Sequence, residues 1–215
     1  MKTKVYYEIS HPAVTVTVLI FSLYKNNLEV LLLKRDHEPF KDTWSIPGGL
    51  IRIEESLDTA ARRILAEQTG LTEVFLEQLH AFGDPQRDPR ERRISVAHYA
   101  LLPRAAVQHT NTDTQWFPIE QLPELAFDHN QIVSFGLKII KGEIQTSSIA
   151  HNLLPTTFRL SELQNVYEVI LGEKIDKRNF RKKLFSLSVV ESTGTKDNDG
   201  RHRPAMLYRF CEESV

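Results

Sequence analysis

Cysteine and long hydrophobic runs are what this 215-residue sequence has least of. The single cysteine, Cys211, excludes a disulfide bond within the chain and a zinc site made of several cysteines. No stretch approaches the roughly 20 uncharged apolar residues that a membrane-spanning helix needs. The first ten residues contain two lysines and two tyrosines instead of the apolar core of a signal peptide. We therefore expect a cytoplasmic protein that has no membrane partner.

The formal net charge of −1 does not by itself indicate a nucleic-acid-binding protein. The charges are unevenly distributed, however, because residues 174–183 contain six basic residues against one acid, Asp176. The six are Lys174, Lys177, Arg178, Arg181, Lys182 and Lys183. Such a cluster is either a solvated helix face or an electrostatic contact surface for nucleic acid.

The first two thirds of the chain have the pattern of strands interleaved with two helices. Strands are predicted at residues 13–21, 28–33, 44–46, 73–82 and 94–102. An amphipathic helix is predicted between Ser56, a suitable N-cap, and Gly70, a suitable C-terminal stop. A second helix is predicted over residues 131–140. This order predicts an α/β sandwich for residues 1–145.

The last third of the chain has the pattern of two short helices and a hairpin. Residues 141–157 are polar and predict a linker. The sequence from Ser161 to Gln164 has the form of a capping box and opens the first helix, which ends at Gly172.

Asp176 is the expected N-cap of the second helix, over residues 177–187, with Phe180, Leu184 and Leu187 facing inward. Residues 187–190 and 205–210 then predict the strands of a hairpin with a basic tip. Residues 155–215 are therefore expected to form a small winged helix-turn-helix domain.

Residues 49–71 resemble the Nudix box, whose pattern is G-x5-E-x7-R-E-U-x-E-E-x-G-U with U an apolar residue. The matching residues are Gly49, Glu55, Arg63, Leu65, Glu67, Gly70 and Leu71. Ile64 and Gln68 stand where the pattern has glutamate. Positions 64, 67 and 68 share one helix face, which in Nudix enzymes presents carboxylates to Mg²⁺ or Mn²⁺.

Loss of two carboxylates weakens the binding of a hard divalent cation. We therefore predict that hydrolysis is absent or vestigial, that no metal or other cofactor is required, and that at most a vestigial Mg²⁺ site remains. Without the family pattern, the same residues would indicate an ordinary amphipathic helix.

Residues 83–90 resemble the G-D-P-x-R-D-P-R-G-R segment of Nudix domains that handle ADP-ribose, although Glu91 stands where glycine is common. Arginine suits a diphosphate because its planar fork donates two parallel hydrogen bonds. The predicted ligand-binding residues are Arg35, Arg52, Glu55, Glu67, Arg87, Asp88 and Arg90, with Arg93 as a further candidate. The alternative is a solvated surface loop held by Arg–Asp pairs.

Residues 158–168 and 176–184 resemble the winged helix of the Nudix-related transcriptional regulators called the NrtR family. The resemblance implies that the second helix lies in the major groove, where Asn179 suits adenine and the arginines suit guanine. The predicted DNA-binding residues are Lys177, Arg178, Asn179, Arg181, Lys182, Lys183, Arg201, His202 and Arg203.

The resemblance implies an α/β protein with an N-terminal Nudix-like α/β/α sandwich and a C-terminal winged helix. It implies a homodimer that binds operator DNA, represses genes of NAD metabolism and is released by ADP-ribose or a related nucleotide. Three alternatives stay open. They are an active Mg²⁺-dependent ADP-ribose pyrophosphatase that uses Glu55, Glu67 and the Gly48 carbonyl, a sugar-responsive regulator, and a protein-binding adaptor.

Overall fold

A mixed β-sheet lies at the centre of the N-terminal half. The structure is a computed structural model that describes residues 11–107, 113–146, 149–197 and 204–211. Its strands here are β1 (Ala13–Tyr24), β2 (Asn27–Lys34), β3 (Trp44–Ser45), β4 (Gly48–Leu50), β5 (Phe75–Phe82), β6 (Arg93–Leu101) and β7 (Thr114–Pro118). The order is β3-β2-β1-β6-β5, with β4 paired to β1 and β7 to β2. β1 and β6 are parallel, and the other pairs are antiparallel.

The alternating residues of β1 place apolar side chains on both faces of this sheet. Leu19 and Phe21 join one buried cluster, whereas Val18 and Ile20 join the other. The five predicted strands are confirmed, although β1 continues past Phe21 to Tyr24. β4 and β7 were not predicted, because a Gly-Gly turn and a short mixed segment carry no period-two signal.

One helix covers each face of the sheet. α1 (Leu57–Thr69) begins at Ser56, whose Oγ accepts a hydrogen bond from the Thr59 N–H (3.1 Å), and ends at Gly70, whose φ is 74°. α2 (His129–Thr146) lies on the opposite face and is longer at both ends than predicted. A Cβ at Gly136 would lie 2.6 Å from Leu19 Cδ1, so α2 can approach β1 closely only because this residue is glycine. The sandwich architecture is confirmed.

The predicted linker over residues 141–157 is wrong in its first part. α2 runs to Thr146, and a short 3₁₀ helix, Ile149–Leu153, follows with Ile149, Ala150 and Leu153 buried. These apolar residues join one cluster that extends from the sheet into the C-terminal domain. The segment is therefore part of the core, although its polar composition resembles that of an exposed linker.

The C-terminal domain is a winged helix. It contains β8 (Phe158–Arg159), α3 (Leu160–Leu171), α4 (Lys177–Ser186), β9 (Val190–Asp197) and β10 (Ala205–Phe210), with an antiparallel sheet in the order β8-β10-β9. Gly172 ends α3 with φ at 77°, and Asp176 caps α4 by accepting from the Asn179 N–H (2.8 Å).

Three details of the winged helix correct the sequence prediction. α3 starts one residue before Ser161, and Glu162 rather than Gln164 accepts from the N-cap backbone, the Arg159 N–H (2.6 Å). Leu187 is 60% exposed and does not face inward. β9 starts at Val190 because the chain turns at Ser188, whose φ is 50°.

Among the helices in the described ranges, none combines the length and apolar character that crossing a bilayer requires.

Candidate functional site

A cavity of about 520 Å³ opens beside the start of α2. It is bordered by β1, the end of β2, β4, Gln68 of α1 and the loop over residues 83–92. The size falls in the range of small-molecule sites. Cationic side chains outnumber acidic ones in its lining: the cationic residues are Lys34, Arg35, Arg87, Arg90 and Arg93, and the acidic residues are Asp36, Asp88 and Asp113.

Phe127 presents its ring to two of these arginines. The guanidinium carbon of Arg35 lies 4.9 Å from the ring centroid, and that of Arg90 lies 5.4 Å away. Phe127 has a φ of 58°, an uncommon value for a bulky residue. The ring therefore lies between the loop after β2 and the loop over residues 83–92, and it contacts one arginine from each.

Two arginines of the 83–92 loop, Arg87 and Arg90, are fixed by carboxylates of low exposure. Arg87 donates two hydrogen bonds to Asp128 (2.9 and 2.7 Å), and Arg90 donates two to Asp88 (2.9 and 2.7 Å). Burial raises the pKa of Asp88, but the hydrogen bonds and charges of Arg90 and Arg93 outweigh it and leave the pKa below its usual value. Because the Asp88 side chain is only 3% exposed, this loop is not a merely solvated surface segment.

Arg35 differs from the other three arginines of the cavity because it forms no ion pair with any described residue. Its Nε donates to the Pro39 carbonyl (2.9 Å) and its Nη2 to the His37 carbonyl (3.3 Å). Partial burial and the nearby charge of Arg90 lower the pKa of Arg35. An anion bound in the cavity would therefore relieve an unfavourable concentration of positive charge.

His129 anchors the start of α2 at the wall of the cavity. Its Nδ1 accepts a hydrogen bond from the Ile46 N–H (2.9 Å), which requires a neutral ring with Nδ1 unprotonated. Burial, with the charges of Arg87 and Arg35, lowers the pKa of His129 from 6.5 to about 3. The imidazole is therefore an uncharged structural acceptor at neutral pH.

This lowered pKa predicts a loss of stability in acid. The unfolded chain takes up a proton at His129 near pH 6.5, whereas the folded protein does so only near pH 3. The contribution of neutral His129 to the free energy of unfolding is therefore complete above pH 6.5 and is lost as the pH falls toward 3. We expect this group alone to lower the free energy of unfolding by about 2 kcal/mol between about pH 7.5 and pH 5.

Urea unfolding of the wild type and of His129→Asn at both pH values measures this contribution. Asparagine can place an oxygen near the position of Nδ1 but does not titrate. The free energy of unfolding of the variant is therefore expected to lack the pH dependence that His129 contributes to the wild type. Equal pH dependence in the two proteins would contradict the assignment.

The two glutamates of the Nudix-like box, Glu55 before α1 and Glu67 in α1, both accept hydrogen bonds from Arg63 of α1. Arg63 donates to Glu55 from Nε (2.6 Å) and Nη2 (2.9 Å), and to Glu67 from Nη1 (3.3 Å). The hydrogen bond from Arg63 is the main reason that the pKa of Glu55 falls to about 2. Ile64 is buried against the sheet. Within the described ranges, no three His, Cys, Asp or Glu side chains are grouped so that they could hold a metal ion.

The second helix of the winged helix presents a cationic face to solvent. Phe180 and Leu184 pack inward, while the predicted DNA-binding residues Lys177, Arg178, Asn179, Arg181, Lys182 and Lys183 are all exposed. None of the five cations among them forms an ion pair with a residue in the described part of the chain. The predicted wing residues Arg201, His202 and Arg203 lie outside the described residues.

Comparison with known proteins agrees with this two-part architecture. The NUDIX domain family matches residues 13–134, and the NrtR DNA-binding winged helix domain family matches residues 150–210. The ADPR responsive transcriptional repressor NtrR of Acinetobacter baylyi is 36% identical over 208 residues, which cover 93% of this chain and 82% of that protein. The chain belongs to the NrtR family.

Solved structures of NrtR from Shewanella oneidensis are also similar. NrtR complexed with a 27mer DNA is 33% identical, with a TM-score of 0.84 and coverage of 94% of each chain. The NUDIX domain of the same protein complexed with ADP ribose is 32% identical, with a TM-score of 0.55 and coverage of 63% of this chain and 94% of that one. An ADP-ribose pyrophosphatase of Methanocaldococcus jannaschii is 34% identical over 125 residues, 57% of this chain and 72% of that protein.

The structure brings four of the seven predicted ligand residues of this NrtR-family chain to the cavity. Arg35, Arg87, Asp88 and Arg90 line it, whereas Arg52, Glu55 and Glu67 do not. Arg52 is 67% exposed, and the two glutamates are held by Arg63. Arg52, Glu55 and Glu67 therefore lie beside the cavity, whereas Gly49 and Gln68 of the box line it.

Phe127 and His129 were not predicted as site residues from the sequence. Gln68 was interpreted only as the replacement of a metal-binding glutamate. Phe127 and His129 belong to no motif and lie about 40 residues beyond the arginine loop, so only the fold brings them to it. Aromatic residues at the N-terminal start of an amphipathic helix were the only available signal, and that pattern is common in helices with no ligand.

Proposed function

We propose that this NrtR-family protein is a transcriptional repressor whose affinity for operator DNA is lowered by ADP-ribose or a related nucleotide. The proposal is carried by the combination, in one chain, of a helix whose exposed cations form no ion pair with a described residue and an arginine-lined cavity. The A. baylyi repressor, similar along 93% of this chain, supports the same combination of activities.

The arginines of the cavity favour an anionic effector. ADP-ribose contains a diphosphate, and Arg35 offers a fork-shaped donor that forms no ion pair with a described residue. Arg35 and Arg90 both line the cavity and both contact the Phe127 ring, and we propose that both act on one anion. A neutral sugar would leave this charge unbalanced, so the sugar-responsive alternative is disfavoured.

The exposed face of α4 favours DNA as the partner of the winged helix. Cations that form no ion pair in the described part of the chain are free to contact phosphates, and α4 presents five of them beside an exposed asparagine. We infer that two copies of the chain bind a palindromic operator as a homodimer in the cytoplasm, and that the regulated genes belong to NAD metabolism. The protein-binding adaptor alternative gives no role to this face.

We also propose that the protein is not a hydrolase. At the positions where Nudix enzymes hold a divalent cation, Ile64 offers no ligand atom, Gln68 offers no charge, and Glu67 is paired with Arg63. These residues do not fit Mg²⁺, which prefers several oxygen ligands that balance its charge. Similarity to the M. jannaschii pyrophosphatase keeps hydrolysis as the second candidate and makes AMP release worth measuring.

The coupling of the two parts is proposed to run through α2. His129 and Phe127 place the start of this helix at the cavity, and Gly136 packs its middle tightly on β1. Lys141 lies near the other end of α2. Its Nζ is 3.9 Å from the position that a Cβ at Gly172 would occupy, so Lys141 is next to the C-terminal end of α3. Lys141 also lines a crevice of about 350 Å³ between α2 and α3, which leaves room for the two helices to move.

Replacing Lys141 with alanine is therefore expected to weaken the coupling. The lysine ammonium favours the negative end of the α3 dipole, and its loss should lower the ADP-ribose effect on operator affinity about 3-fold or more. Affinity for ADP-ribose alone should change little. The matched control is Lys138→Ala, one turn earlier and exposed. An undiminished coupling in Lys141→Ala, or an equal loss in both variants, would refute the route.

The test of the proposed function is an anisotropy titration of operator-containing promoter DNA with and without ADP-ribose, combined with an assay for AMP. We expect sequence-specific binding that ADP-ribose weakens, and no Mg²⁺-dependent AMP release. Absence of specific binding together with rapid AMP release would replace the repressor by the pyrophosphatase.

A further inference from the structure

Phe185 is a large apolar side chain that lies outside the buried core of the winged helix. It belongs to the last turn of α4 and is 48% exposed, whereas Phe180 and Leu184 of the same helix are buried. Among the described residues of the winged helix, Leu187 is the other large apolar side chain that is exposed. Burial of apolar surface is favourable, so a partner that covers the Phe185 ring gains affinity from doing so.

Phe185 lies on the same side of α4 as two of its cations. Arg178, Lys182 and Phe185 are spaced i, i+4 and i+7, so their side chains share one helix face, and all three are exposed. Leu187 follows Phe185 by more than half a turn, just past the end of α4, and therefore lies on the other side of the helix axis. DNA bound to the cationic face of α4 would therefore meet Phe185 and not Leu187.

The Phe185 ring is supported by the hairpin of the winged helix. Its centroid lies 5.9 Å from that of Tyr208 on β10, and the two ring planes are 53° apart. Tyr208 in turn packs against the buried cluster of the domain. Because this contact restricts the Phe185 side chain before any partner arrives, covering the ring costs little additional conformational entropy.

Thymine has the one methyl group that the bases of unmodified DNA present in the major groove, and an apolar side chain such as phenylalanine suits it. The lysines and arginines of α4 suit phosphates and guanine, and Asn179 suits adenine. We propose that Phe185 packs on a thymine C5-methyl group in each half of the operator. This inference rests on the proposed function and names a base that α4 recognises by apolar contact.

Replacement of thymine by deoxyuridine tests the contact, because the exchange removes only the C5-methyl group. The full chain is titrated with operators in which each thymine in turn is replaced in both half-sites. We expect the wild type to lose about 3- to 10-fold in affinity at one thymine position or at two adjacent ones. Phe185→Ala should bind the unchanged operator about 10-fold more weakly, and deoxyuridine at those positions should cause it no further loss.

Leu187→Ala is the matched control, since it removes an exposed apolar side chain from the other side of α4. It should keep the affinity of the wild type and its response to deoxyuridine. If alanine at position 185 unfolds the domain, Phe185→Gln replaces it, because glutamine is long enough to keep covering Tyr208 and is suited to a helix.

Two results would overturn the contact: a wild type that is indifferent to deoxyuridine at every thymine, or an equal loss in the wild type and in the Phe185 variants. Dissociation of the Phe185 variants into monomers, with an undiminished response to deoxyuridine, would place Phe185 between two copies of the chain instead. Specific operator binding without any methyl effect removes this inference alone, whereas the absence of specific binding removes the proposed function with it.

Discussion

Substitution of both Arg178 and Lys182 by alanine is expected to weaken operator binding about 100-fold near 150 mM salt. The two residues are one turn apart on the exposed face of α4, opposite the buried Phe180 and Leu184. Neither forms an ion pair with a described residue, so both are free to contact DNA. In a dimer the change removes four cations from the interface, and the log–log salt slope should become shallower by about 3 to 4.

The control for this prediction removes two positive charges from the N-terminal domain instead of from α4. Lys25 and Lys138 are exposed lysines of the N-terminal domain, far along the chain from α4. The Lys25→Ala/Lys138→Ala protein should retain most of its operator affinity and an almost unchanged salt slope. Similar losses in both double variants would mean that net charge, and not the α4 face, governs binding.

Substitution of Arg35 by alanine is expected to abolish the response to ADP-ribose while DNA binding persists. A hydrogen-bonded charge pair contributes more than a neutral hydrogen bond, so the affinity for ADP-ribose should fall about 30-fold. Arg35 is selected over the other arginines because Arg87 and Arg90 already donate to Asp128 and Asp88. Calorimetry with ADP-ribose and anisotropy with operator DNA measure the two affinities separately.

Arg52→Ala is the matched control because both arginines were predicted from sequence and only Arg35 lines the cavity. Arg52 is exposed, and its substitution should leave the affinity for ADP-ribose unchanged. Arg35 also donates to the carbonyls of His37 and Pro39. Thermal unfolding of Arg35→Ala should therefore be compared with that of the wild type, and a similar unfolding temperature is expected if this loop keeps its structure. A larger loss from Arg52→Ala than from Arg35→Ala would contradict the placement of the effector.

Much of the fold could be predicted because local signals agree with the tertiary structure. Ser56 and Gly70 bound α1, and Asp176 begins α4, since capping depends on residues within one turn. The segment from Ile149 to Leu153 could not be predicted in the same way. Its burial depends on the sheet and on α3 packing around it, and its short mixed pattern has no period that reveals this.

The candidate site could be predicted only in part, for a related reason. The arginine loop is a contiguous motif, so Arg87, Asp88 and Arg90 were found from sequence. Spacing showed that Glu55 and Glu67 belong to the box, but it could not show that Arg63 binds both of them. Phe127 reaches the cavity through the path of the chain before α2, which no local pattern records.

The most direct test of the central claim is a complete linkage cycle. ADP-ribose affinity is measured for the free protein and for the protein saturated with operator DNA, and operator affinity is measured with and without saturating ADP-ribose. If one chain couples the cavity to the winged helix, both affinities must weaken, and by the same factor. An ADP-ribose affinity that is identical in the free and operator-bound protein would contradict the account.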